Sequence, residues 1–285
     1  MTFNDGAKID PSRVRRRGRT GVAVGAGGGL LVLGLFIVSQ IIGVDLTGLA
    51  GGGTSDPAND QELTECQTAE AANDSIDCRI AGASDSLDTY WTGAMDGYRT
   101  TNIILFTDQT DTGCGGATSA VGPFYCPADE TIYVDTAFYD ELRTRFGSSG
   151  GPLAEMYVIA HEWGHHIQNV AGTMEGLDRQ DAGPDSDSVR LELQADCYAG
   201  AWVGAAPEIL NDDGVAFLDP VTPEQVADAL SAASAVGDDR IQESTQGQVT
   251  PETWTHGSSE KRQQWFTAGY EGGPQACDTF SVAAP

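Results

Sequence analysis

Basic residues are scarce in this chain. Its 285 residues hold 15 Lys and Arg against 42 Asp and Glu, a formal net charge of −27. A surface that acidic repels phosphate backbones, so nucleic-acid binding is disfavoured. Most of the acid suits a soluble, well-hydrated surface. Histidine is scarcer still, with four residues at positions 161, 165, 166 and 256. No CxxC pair occurs, which argues against a cysteine-ligated zinc cluster. No internal repeat is visible, so nothing points to a repeat architecture. Hydrophobic content, at 40%, is ordinary for a globular chain with a substantial core.

The few basic residues are unevenly placed. Six of the 15 (Lys8, Arg13, Arg15, Arg16, Arg17 and Arg19) lie in residues 1–44, with only Asp5 and Asp10 against them. Residues 21–44 carry no charge. As a helix at about 1.5 Å per residue, that run is long enough to span a bilayer. The arginines before it place the N-terminus in the cytoplasm by the positive-inside rule. The run is longer than the apolar region of a typical signal peptide, and no A-x-A site follows it. The expected organisation is therefore a basic cytoplasmic tail (1–20), a transmembrane helix (21–44), a flexible Gly- and Asp-rich stalk (45–62) and an extracellular domain (63–285).

All six cysteines follow the apolar run. An even count suggests three disulfides in an oxidising compartment. Six cysteines allow fifteen pairings. The short spacings favour Cys66–Cys78 and Cys114–Cys126, which leaves Cys197 with Cys277.

Within the domain, residues 102–108 (NIILFTD) and 131–135 (TIYVD) have the composition of short strands. Pro152 is a good first helical residue, and Gly172 a stop, so a helix is expected over about 152–169. Further helices are expected over about 189–203 and 223–235, and from Ser258-Ser259 to about Gly269. The fold class is α+β, a small sheet over one helix backed by others.

Residues 161–165 (HEWGH) supply the chemistry. Histidines four apart share one helical face, so the imidazoles of His161 and His165 can bind one ion. Zinc takes neutral imidazole and keeps a position open for water in catalytic sites. Glu162 projects beside that ion, placed to take a proton from the attacking water and pass it to a leaving amine. His166 turns off this face and is expected to be structural. A third ligand is expected from residues 191–196 (LELQAD). Glu192 and Asp196 again lie four apart on a helix flanked by Leu191, Leu193 and Ala195. Buried carboxylates need partners, so Glu192 is assigned to zinc and Asp196 to a hydrogen bond with a ligand imidazole. Glu175, Asp178, Asp181 and Asp185 are rivals in loop sequence.

The blocks HEWGHHIQ (161–168), ELQADCYAGAW (192–202) and THGSSEKR (255–262), with GPFYC (122–126) and IYVD (132–135), resemble the bacterial neutral zinc metallopeptidase family. The E-x-x-A-D block is also similar to that of the CaaX prenyl-protein endopeptidases, gluzincins in which its glutamate ligates zinc. Those relatives carry a T-H-P-S-like block ending in Arg, where this chain has Gly257 in place of the proline. The resemblance implies a zincin-like domain, one catalytic zinc and a peptide or protein substrate. It also makes His256 and Arg262 candidates to stabilise an oxyanion. Tyr133 is taken as packing. Two rival functions are a non-catalytic, zinc-stabilised surface domain and a metal hydrolase of a non-peptide amide. The intact Glu162 argues against the first, since a structural site needs no base.

Overall fold

A computed structural model of the chain describes residues 2–18, 60–178 and 180–285. The strands are β1 (Val14–Arg17), β2 (Asp60–Glu62), β3 (Asn102–Phe106), β4 (Gln109–Thr112), β5 (Gly115–Thr118), β6 (Phe124–Cys126) and β7 (Thr131–Asp135). The helices are α1 (Ala69–Asp74), α2 (Ile76–Ala94), α3 (Phe138–Thr144), α4 (Pro152–Val170), α5 (Asp187–Ala205), α6 (Pro223–Ala235), α7 (Asp238–Gln246) and α8 (Ser259–Gly272). Five strands form one sheet in the order β2-β1-β3-β7-β6, and β4 pairs with β5 in a separate hairpin. β1, β3 and β7 are parallel, and the two edge strands run antiparallel to their neighbours. This is the expected mixture of a small sheet and backing helices.

The alternating apolar residues of β3 and β7 bury Ile103, Leu105, Ile132 and Val134. They face the same core as α4, whose Leu153, Met156, Tyr157, Ile159, Ala160 and Trp163 are also buried. Helix α4 starts at Pro152, as a fixed φ and a missing N–H favour. Ser186 caps α5 by accepting from the Val189 N–H at 3.2 Å. Both helices are longer than expected by one to a few residues at their ends. Three disulfides join Cys66–Cys78, Cys114–Cys126 and Cys197–Cys277, the pairing the spacing favoured.

The N-terminal segment departs from expectation. Residues 1–20 are expected as a separate tail, with the folded domain starting at residue 63. In the structure Phe3, Ala7, Ile9 and Val14 are buried in the main core. β1 pairs on one side with β3 and on the other with β2, where Arg17 stands opposite Asp60. The physical reason is charge complementarity. Arg13 meets Asp88 at 2.7 Å, Arg15 meets Glu62 at 3.1 Å, Arg16 pairs with Asp77, and Arg17 meets Asp60 at 3.0 Å. Arginines that read as a flank for an apolar run are partners for an acidic body. The apolar run 21–44, and the stalk apart from its last residues, lie outside the described residues. Among the described residues, no helix is long and apolar enough to cross a membrane.

Candidate metal centre

Two helices make the site, and one glycine lets them meet. A Cβ added at Gly164, inside HEWGH, would lie 2.8 Å from the Cα of Ala195 and 3.0 Å from its carbonyl oxygen. Only a residue without a side chain permits this approach of α4 to α5. The crossing brings Glu192 against both histidines: its carboxylate oxygens lie 3.2 Å from His161 Nε2 and 3.3 Å from His165 Nε2. One atom from each of His161, His165 and Glu192 lies within 4.8 Å of the others, so the three could hold a single ion. Among the described residues no other such group forms, and the loop carboxylates Glu175, Asp178, Asp181 and Asp185 stand apart.

The far nitrogen of each ring is fixed. His161 Nδ1 lies 2.8 Å from Asp196 Oδ1. Asp196 is fully buried and also accepts from the Tyr157 hydroxyl and from Arg262 Nε at 2.7 Å and Nη2 at 3.0 Å. A carboxylate only accepts, so it assigns the proton to Nδ1 and leaves Nε2 as a donor for metal. His165 Nδ1 lies 2.9 Å from Gln168 Oε1, and the Gln168 amide nitrogen donates to the Leu191 carbonyl at 2.7 Å. That orientation gives His165 the same tautomer.

The electrostatics match a cation site. Burial opposes charge on His161, but Asp196 and Glu192 outweigh it and push the ring up to about 10. His165 is raised too, with Glu192 overcoming the cost of burial. Against its own burial, Glu192 is held well below the usual carboxylate range by His165 and His161. Glu162 is buried beside the pair, and burial raises it despite the two histidines. Two borderline imidazoles, a carboxylate and a buried carboxylate next to them suit zinc with an open position better than a hard cation such as magnesium.

Each remaining candidate has a definite place. His166 is fully buried away from the site; its Nε2–H donates to the Arg99 carbonyl at 2.6 Å and Nδ1 accepts from the Tyr125 hydroxyl at 3.0 Å. Tyr133 stacks on Phe124 at 5.3 Å and donates to Asp129 at 2.8 Å, a packing role. His256 stands on the loop before α8 with half of its side chain exposed, and its charge interacts with Glu192. Asp238 Oδ2 accepts from the N–H groups of Thr255, His256 and Gly257 at 2.8, 2.7 and 3.0 Å. Its Oδ1 lies 3.2 Å from His256 Nδ1. Gly257 has φ +88° and donates one of these bonds, so a proline could supply neither the angle nor the donor. The departure from T-H-P-S is thus built into this loop.

Arg262 is 2% exposed, and its donors go to Asp196, Tyr157 and the Val236 carbonyl at 3.2 Å, with Nη2 also 3.3 Å from His161 Nδ1 and 3.9 Å from the Glu192 carboxylate. It sits behind His161 and Asp196 rather than facing an open oxyanion position. Gln168, Tyr157, Gln194 and Asp238 join the site without having stood out in the sequence. The first two share α4 with the histidines, one turn to either side, and Gln194 lies inside ELQAD. Asp238 gave no signal in the sequence.

A small sheet over a buried helix, with two histidines and a glutamate converging across a helix crossing, makes a centre that could hold a metal ion. The sequence pattern of the family described as putative neutral zinc metallopeptidase matches residues 5–280, and the chain belongs to that family. It is 47% identical over 290 residues to the uncharacterized protein Rv2575 of Mycobacterium tuberculosis (strain H37Rv), covering 99% of each chain. It is 38% identical over 262 residues to the uncharacterized protein YpfJ of Escherichia coli K12, covering 89% of this chain and 86% of that one. No solved structure matches.

Proposed function

We propose that the chain is a gluzincin-type zinc endopeptidase, with His161, His165 and Glu192 as metal ligands and Glu162 as general base. One observation carries this reading: both imidazoles have Nδ1 tied to an acceptor while both Nε2 atoms face the same Glu192 carboxylate. A zinc held there supplies Lewis-acid activation of water and of the scissile carbonyl. Glu162 takes one proton from the attacking water as its oxygen bonds to the carbonyl carbon. It returns that proton to the amine as the C–N bond breaks. His256, steadied through Nδ1 by Asp238, presents Nε2 toward the developing oxyanion. Arg262 acts through Asp196, holding the carboxylate that fixes His161. The three disulfides support a domain that works in an oxidising compartment, and residues 21–44 support attachment to a membrane.

Metal content and casein hydrolysis of the full chain test the assignment. Glu162→Gln should abolish hydrolysis and keep zinc, because it removes the base and no ligand. Glu192→Ala should lose both. Full zinc in Glu192→Ala, or casein cleavage by Glu162→Gln at the parent rate, refutes the assignment. Zinc binding without hydrolysis of peptides by the parent would instead favour a non-catalytic zinc domain.

A further inference from the structure

The C-terminal segment packs against α5. Cys277 is joined to Cys197 of α5, and both sulfurs are buried. Beyond it, the Arg190 guanidinium donates to the carbonyls of Thr279, Val282 (2.8 Å) and Ala283 (3.0 Å). The Thr279 hydroxyl returns a bond to the Arg190 carbonyl at 2.8 Å. Arg190 lies two residues before Glu192.

From this segment a chain of amides runs to the metal centre. Gln194 Nε2 donates to the Cys277 carbonyl at 2.9 Å. Gln168 Nε2 donates to Gln194 Oε1 at 3.2 Å and to the Leu191 carbonyl at 2.7 Å. Gln168 Oε1 then accepts the His165 Nδ1–H at 2.9 Å. Gln168 is fully buried and Gln194 is 6% exposed, so water does not compete for these groups. The chain has a direction. A backbone carbonyl can only accept, so Cys277 turns the Gln194 nitrogen toward itself and its oxygen toward Gln168. Gln168 must then present nitrogen to Gln194 and oxygen to His165. Reversing either amide would set two donors or two acceptors face to face in a dry interior, at a cost of the unsatisfied-group kind.

We propose that residues 277–283 are a brace for the metal centre, with Gln194 and Gln168 as positioning residues that fix the tautomer and ring orientation of His165. This rests on the zinc-site reading above. Asp196 does the corresponding work for His161, so the two ligands are oriented by different partners: one by a buried ion pair, the other by the amide chain from Cys277.

Zinc affinity of the full chain, measured by competition with a chromophoric chelator, tests the brace without any substrate. Gln168→Met keeps the side-chain volume and removes all three bonds of the amide, and should weaken zinc binding about 10–100-fold with an unchanged far-UV spectrum. Gln194→Met should weaken it less, by several-fold. The double variant should bind no more weakly than Gln168→Met alone, because Gln194 acts only through Gln168; a general loss of packing would instead add. Parental affinity in a folded Gln168→Met protein, or additive losses in the double variant, overturns the proposal. Should Gln168→Met fail to fold, Gln194→Met carries the test, and parental affinity there overturns it equally. A parent that binds no zinc would overturn the zinc-site reading itself, and that result is read before any variant is made.

Discussion

At the scale of single residues, the metal centre separates what a pattern can reveal from what only contact can. His161, Glu162 and His165 are legible because helical spacing alone puts them on one face. Glu192 is legible because a charged residue between Leu191 and Leu193 on a buried helix needs a partner. The role of Arg262 was not, because a guanidinium aimed at an oxyanion and one buried behind Asp196 leave the same letter in the sequence. The protonation of the centre yields a prediction with a definite sign. Without metal, the carboxylates hold His161 and His165 above the ordinary histidine value, His161 at about 10. Zinc requires both rings neutral, so uptake near neutral pH must release protons. Affinity should therefore rise with pH across about 6 to 8, by up to about tenfold per pH unit for each proton released. Calorimetry in buffers of different ionisation enthalpy measures that release. A pH-independent affinity with no proton release would contradict the geometry in which Asp196 and Glu192 face the two nitrogens of His161 and Glu192 faces Nε2 of His165.

At the scale of elements, α4, α5, α6 and α8 were readable from their periodicity and their stop and start residues. Helix α2 was not, because its buried face is made of Ala81, Ala83, Ser84 and Ser86 around Ile80 and Leu87 rather than a large apolar stripe. β1 was not, because only Val14 of its four residues is buried and the other three are arginines. The element that matters most to the centre is the α4–α5 crossing, and it depends on Gly164. Gly164→Ala would drive a Cβ into the backbone of Ala195, which cannot rotate away. The expected cost is about 1–3 kcal/mol of stability, typical of overpacking, with weaker zinc binding as Glu192 moves off the histidines. Gly93, near the end of α2, is the control: a Cβ there meets nothing within 4 Å. Gly93→Ala should stabilise by up to about 1 kcal/mol through helix propensity. Thermal melting of the two variants should show shifts of opposite sign; equal shifts would mean that the crossing is looser than the structure has it.

At the scale of the whole molecule, the N-terminal residues decide how the chain stands to a membrane. A single crossing by residues 21–44 puts residues 2–18 on one face and the catalytic body on the other. The structure puts them together: β1 lies between β2 and β3, Phe3 packs in the core, and four arginines pair with carboxylates of the body. The two arrangements cannot hold in one folded molecule. Burying Phe3, Ile9 and Val14 is worth roughly 1.5–3 kcal/mol for each large side chain, and a strand pairing on both edges adds to it. Residues 2–18 should therefore share a compartment with the domain. Asp5 and Asp212 are both exposed, and a cysteine placed at either in an otherwise disulfide-bonded chain is a free thiol. In intact cells, a membrane-impermeant maleimide should label Asp5→Cys and Asp212→Cys alike, or neither until the cells are opened. Labelling of Asp212→Cys with Asp5→Cys protected until permeabilisation would restore the single crossing, and would mean that β1 leaves the sheet when the chain is in its membrane.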